Sequence, residues 1–144
     1  MMTFVDTNIF IRYMANDDEK KAKACFELFQ RVKRNEEEVT TSESVIAEVT
    51  FVLSSKKLAY QLTHDQIRQR LVPLLTLRGF KLPHKKIYLE ALDIYAAKSN
   101  LDMEDALSIA HIKDQGHNRI YSYDTDFDGY SQVTRIEPFI RSNI

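Results

Sequence analysis

Residues 4–10 read FVDTNIF, that is Phe4-Val5-Asp6-Thr7-Asn8-Ile9-Phe10. Two apolar residues suited to a short strand run straight into a carboxylate. Ile9, Phe10, Tyr13 and Met14 then follow at helical spacing. The stretch reads as strand, acid, helix. An acid at that turn has two explanations. Asp is a favoured helix N-cap. Open parallel sheets also place their ligand sites just beyond the carboxyl ends of their strands. Asp6 alone leaves both readings open.

The rest of the chain repeats the alternation. Asp17 and Asp18 are positioned to cap a helix from Glu19 to Arg34, with Ala22, Phe26 and Phe29 on its apolar side. Val39, Thr40 and Thr41 read as a second strand, after which Ser42 or Ser44 caps a helix through about Leu58. Thr63 or Asp65 opens a helix ending near Gly79, and Phe80 to Pro83 is a short strand. Lys85 to Ser99 is helical, with Ile87, Leu92 and Tyr95 among its apolar residues. Asp102 caps a helix that Gly116 ends, and Arg119 to Tyr123 and Gln132 to Ile136 are strands. Strands alternating with helices predict an α/β fold with a parallel sheet and helices on its faces.

Composition narrows the class. A chain of 144 residues suits one domain with its own core, and three glycines and three prolines offer no linker to a second. Residues 1–144 are therefore expected to form a single domain. With 44% hydrophobic and 28% charged residues the composition is that of a globular protein. No apolar run approaches a membrane span and no signal-peptide pattern opens the chain, so a cytoplasmic, membrane-free protein is expected. Cys25 is the only cysteine, which excludes an internal disulfide and suggests no soft-metal site.

A net charge of −1 argues against a uniformly basic nucleic-acid binder. The charge is unevenly spread. From Lys56 to Lys86 there are eight basic residues against Asp65 alone; from Asp102 to Asp128 there are seven acids against Lys113 and Arg119. Each charge singly fits a solvated face, but the separation into blocks suggests an acidic centre with a basic flank.

Three further acids stand at unusual places. Glu48, in SVIAEVTFVL, falls at the margin of an apolar helix face, beside Ser44 and Ser55. Asp105, in LDMEDALSIAHI, heads a stripe continued by Ile109 and Ile112, although Asp102 and Asp105 also resemble a capping box. Asp124, in RIYSYDTDFD, ends its strand as Asp6 ends the first, although Asp, Thr and Gly are also ordinary turn residues. Asp126 and Asp128 fit the turn reading better, with Asp126 close enough to assist. Gathered together, such carboxylates repel by roughly 4 kcal/mol per close pair at an effective dielectric of ~20. A cation offsets that cost, and all-oxygen ligands favour Mg²⁺ or Mn²⁺ over zinc. Such a centre supports displacement at phosphorus, with the basic block meeting a polyanion.

The four segments, in this order and spacing, resemble the PIN-domain family of metal-dependent ribonucleases. The matching pieces are Asp6-Thr7-Asn8, Glu48 in SVIAEV, Asp105 in MEDALSIA and Asp124 within Ser122 to Phe127. Ser122 stands where threonine is commoner, and both supply a hydroxyl. The length resembles single-domain VapC-like toxins of toxin–antitoxin systems. That resemblance implies a three-layer α/β/α fold around a mostly parallel central sheet of about five strands. It also implies Mg²⁺ or Mn²⁺ as cofactor, RNA as substrate, a homodimer, and inhibition by a small antitoxin. Asp6, Glu48, Asp105 and Asp124 would be the catalytic metal ligands; Asn8, Ser122 and Asp126 would support them. Lys56, Lys57, Arg68 and Arg70, expected on helices flanking the pocket, would guide RNA.

Two rivals have weaker footing. A Mg²⁺-dependent phosphatase or phosphotransfer domain also places acids at strand ends, but the phosphatase pattern wants a second aspartate where Asn8 stands. A non-catalytic binding module would use the acids only to cap and solvate. No glycine-rich loop ending in Lys-Ser or Lys-Thr supports a P-loop nucleotidase.

Overall fold

A computed structural model of the chain describes residues 1–15 and 18–141. The order is β1 (Met2–Phe4), α1 (Thr7–Ala15), α2 (Glu19–Lys33), β2 (Glu38–Thr40), α3 (Glu43–Ser54), α4 (His64–Leu75), α5 (Lys85–Ala97), α6 (Met103–Asp114), β3 (Arg119–Tyr121) and β4 (Thr134–Ile136). A short 3-10 turn, Thr125–Gly129, separates β3 from β4. The alternation fits the α/β class.

The caps are the ones the sequence marks. Asp18 accepts from Lys21 N–H, Ser42 from Val45 N–H and Asp102 from Asp105 N–H. Thr63 and Gln66 close a reciprocal capping box at the start of α4. Asp17, the other acid proposed to cap α2, lies outside the described residues.

The strands pair in parallel. β1 runs beside β2 with Thr3 opposite Val39, and β3 beside β4 with Ile120 opposite Arg135. The expectation of about five strands in one central sheet is corrected here. Among the described residues there are four strands of three residues each, in two separate pairs. The strand expected at Phe80 to Pro83 is a single parallel bridge, Val39 to Phe80, closed by Val39 N–H to Gly79 O at 2.9 Å and Lys81 N–H to Val39 O at 2.7 Å. Segments this short make too few ladder bonds to extend a sheet by themselves; packing holds them.

Two helices stop earlier than expected. α3 ends at Ser54 rather than near Leu58, because Ser55 turns extended and its hydroxyl accepts from Lys57 N–H at 3.2 Å. Lys56 and Lys57 consequently lie in a turn, not on a helix. α4 ends at Leu75, and Gly79 serves another purpose. Its N–H donates to Val32 O at 2.9 Å, and a Cβ there would stand 2.7 Å from that same oxygen. Only glycine permits the chain to pass so close to the end of α2.

Phe10 of α1 anchors the core. It is fully buried and packs its ring 6.1 Å from both Phe29 of α2 and Phe80. α5 packs against α4 and α6, α1 against α2 and α3. No helix among the described residues is long and apolar enough to cross a membrane.

Candidate functional site

The β1–β2 ladder continues one residue, through Val5 N–H to Thr40 O at 2.8 Å, and the chain then turns into α1 at Asp6. Thr41 Oγ1 ties the same turn down by donating to Val5 O at 2.8 Å. Asp6, Thr7 and Asn8 line a cleft of about 400 Å³ together with Glu48 of α3. Thr7 Oγ1 donates to Glu48 Oε2 at 3.1 Å, joining residues 41 apart in sequence. Arg12 and Tyr60 line the same cleft. Thr7, Arg12 and Tyr60 had no role in the sequence reading. Arg12 was the findable one, since it lies four residues, about one helical turn, after Asn8.

The second group of acids forms where α6 begins and β3 ends. Asp105, Asp124 and Asp126 each offer a carboxylate oxygen, all within 4.8 Å of one another. Among the described residues this is the set of three or more acidic, histidine or cysteine ligands that could hold an ion. Asp6 and Glu48 are not in this set; they share the cleft described above.

Local bonds shape the second group. Asp102 Oδ1 accepts from Asp105 N–H at 2.8 Å, so the capping reading of the α6 start is realised, with Asp102 as the cap. Asp105 is then held in the first helical turn beside buried Ala106 and Ile109. Ser122 Oγ accepts from Asp124 N–H at 3.0 Å, and Asp124 Oδ1 accepts from Asp126 N–H at 2.9 Å. Asn100 Nδ2 donates to Asp126 O at 3.2 Å, attaching this loop to the α5–α6 connection. The far end is clamped by Arg135 of β4, which contacts Asp128 at 2.9 Å, Glu137 at 2.7 Å and Ser122 O at 3.0 Å. These charged hydrogen bonds push the Arg135 pKa further up. Of these partners only Glu137 is local to Arg135; Asp128 lies in the turn before β4 and Ser122 across the strand pair.

Electrostatics separate Asp105 from its neighbours. Burial raises its pKa to about 6, and the charges of Asp102 and Asp124 add to the rise. A carboxyl pressed towards its neutral form beside two exposed carboxylates is a site where positive charge is wanted. Three oxygen donors and no sulfur or imidazole fit a hard divalent cation.

The basic flank is only partly available. Arg68 Nε pairs with Asp93 at 2.7 Å, and Arg70 Nη1 donates to Met14 O at 3.1 Å. Lys56 and Lys57 are exposed in the turn after α3.

No curated protein matches the sequence. PIN domains are generally Mg²⁺-dependent nucleases, which supports a ribonuclease-type reading of these acids. The PIN domain model matches residues 3–132, nearly the whole chain, and the protein belongs to the PIN domain family.

Proposed function

We propose that the protein is a Mg²⁺- or Mn²⁺-dependent endoribonuclease that hydrolyses RNA phosphodiester bonds. The observation that carries this reading is the approach of Asp105, Asp124 and Asp126 to within 4.8 Å at the end of a strand. Asp6 and Glu48 line one cleft, and Glu48 also lines a second cavity that reaches the start of α6. In this reading Asp6, Glu48, Asp105 and Asp124 hold the cation, directly or through water.

The bound cation would supply positive charge at the phosphoryl oxygens and acidify water. The protein's own groups do the positioning. Thr7 Oγ1 fixes the Glu48 carboxylate. Ser122 fixes the backbone of Asp124, and Asp126 N–H fixes the Asp124 carboxylate. Asn8 lines the cleft and is assigned to water or substrate orientation. Lys56 and Lys57, with smaller parts for the already engaged Arg68 and Arg70, attract the RNA backbone.

A VapC-like toxin role in the cytoplasm, with a homodimer and a small inhibitory antitoxin, is part of the proposal. It is supported by the order of the four acidic segments and the 144-residue length. Its test is growth arrest on expression, relieved by a small protein encoded next to it; no arrest would remove the toxin role and leave the nuclease.

The nuclease itself is tested with labelled RNA, with Mg²⁺ and then with excess EDTA. Cleavage with the metal and none with EDTA is expected, and Asp6→Asn, Glu48→Gln, Asp105→Asn and Asp124→Asn should each lose activity by about 10²-fold or more. Intact RNA under all conditions, or full activity in all four variants, would refute the assignment.

A further inference from the structure

Glu48 also lines a second cavity, about 450 Å³, between α3, the start of α4, and the α5–α6 connection. Its lining mixes polar side chains with an aromatic surface. The His64 ring stacks on Tyr95 with centroids 3.7 Å apart and planes 6° from parallel. Tyr95, Leu101 and Met103, which also line it, are almost completely buried. Phe51, on the wall, is 67% exposed.

The polar groups define what fits against that surface. His64 Nδ1 is 2.9 Å from Tyr95 O, and a carbonyl only accepts, so the neutral ring carries its hydrogen on Nδ1. Nε2 is then an acceptor. Glu48, Asp102 and Glu104 add acceptor oxygens, and the lining contains no lysine or arginine. Such a lining repels phosphate. It suits a flat, uncharged ring that presents N–H donors at its edge and a π-face to aromatic side chains.

Resting on the ribonuclease reading, we infer that this cavity receives a nucleobase of the RNA strand flanking the cleaved phosphate, with amino-bearing bases preferred over uracil. Continuity argues for the strand as occupant, because Glu48 lines both this cavity and the Asp6 cleft. A strand held at the acids has only to turn one base inward. Base-on-aromatic stacking supplies the affinity, and the acceptor-rich rim supplies the selection.

The test uses the full chain with Mg²⁺ and a pool of short single-stranded RNAs of random sequence, reading the cut ends. Two variants are compared with the parent: Ser99→Trp, at an exposed connection position, to fill the cavity, and Phe51→Ala to remove the wall. The parent should disfavour uracil at one position beside the cut by about tenfold, and both variants should flatten that bias while still cutting. In EDTA, an RNA with an abasic nucleotide at that position should bind the parent about tenfold more weakly than the intact RNA, and bind Ser99→Trp no differently from it. Melting curves establish that the variants fold; should Phe51→Ala fail to, Ser99→Trp alone decides. An unchanged bias in a folded Ser99→Trp overturns the base pocket and leaves the ribonuclease reading standing. Base-dependent binding without any cleavage keeps the pocket and overturns the ribonuclease. Neither binding nor cleavage overturns both.

Discussion

The acids where α6 begins and β3 ends differ from those along the Asp6–Glu48 cleft in how they are stabilised. Asp105, Asp124 and Asp126 crowd within 4.8 Å, and Asp105 responds with a pKa raised to about 6 by burial and then by Asp102 and Asp124. Glu48 instead receives a hydroxyl hydrogen bond from Thr7, in a cleft that also contains Arg12. One group is crowded with like charge; in the other, Glu48 has a hydrogen-bond donor within the protein. On the proposed function, the two halves of the centre take separate tasks. In that proposal the crowded half would set cation affinity and the supported half would set geometry.

Substitution at the two halves sharpens that contrast. Cation affinity, read from calorimetry with Mn²⁺, should fall by on the order of 100-fold in Asp105→Asn and by about tenfold in Glu48→Gln. Equal losses would erase the distinction. In thermal melts, cation at 100 times its Kd should stabilise the parent by about 2.7 kcal/mol, raising the Tm by roughly 5–10 °C. Asp105→Asn should abolish most of that shift.

Thr7→Val probes the supported half. It removes the hydroxyl and keeps the shape, so cleavage should fall by about tenfold while the cation-induced Tm shift persists. A variant that lost the Tm shift as well would place Thr7 in cation binding, against the division drawn above.

The smallest effect is the pH dependence without metal. Asp105 has a folded pKa of about 6, above the ordinary value of 3.8. Its folded state therefore holds a proton that the unfolded chain releases. The associated stability is present below about pH 4 and is lost as pH rises through about 6. In EDTA, Asp105→Asn should melt about 2–4 °C above the parent at pH 7, and the gap should close by pH 4. A parent more stable than Asp105→Asn at pH 7 without metal would mean that the carboxylate is already satisfied.

Much of this was legible in the sequence, and the reasons differ by residue. Asp6, Asp105 and Asp124 stand where hydrophobic periodicity changes, which a linear reading detects. Asp102 as a cap for Asp105 is local, three residues away, and equally visible. The Thr7–Glu48 bond spans 41 residues, and Arg135 reaches Ser122 and Asp128 across a turn and a ladder; neither partner choice is encoded locally. The end of α3 was misplaced because Ser55 competes for the backbone of Lys57, which moved Lys56 and Lys57 off the helix. The strand expected at Phe80 is one bridge: Gly79 O joins it through Val39 N–H, while Gly79 N–H turns away to Val32 O. Convergence of all four acids is a tertiary expectation; the structure places Asp105 beside Asp124, and Asp6 with Glu48 on one cleft.

Whether those groups work as one centre is decided most directly by a double-mutant cycle on RNA cleavage, pairing Asp6→Asn with Asp105→Asn and confirming the fold of each protein by its melting curve. If both carboxylates serve one cation-dependent step, the double variant should cleave no more slowly than the worse single variant, within about threefold, because a unit already broken cannot be broken again. Losses that multiply would contradict the account, showing that Asp6 and Asp105 act independently.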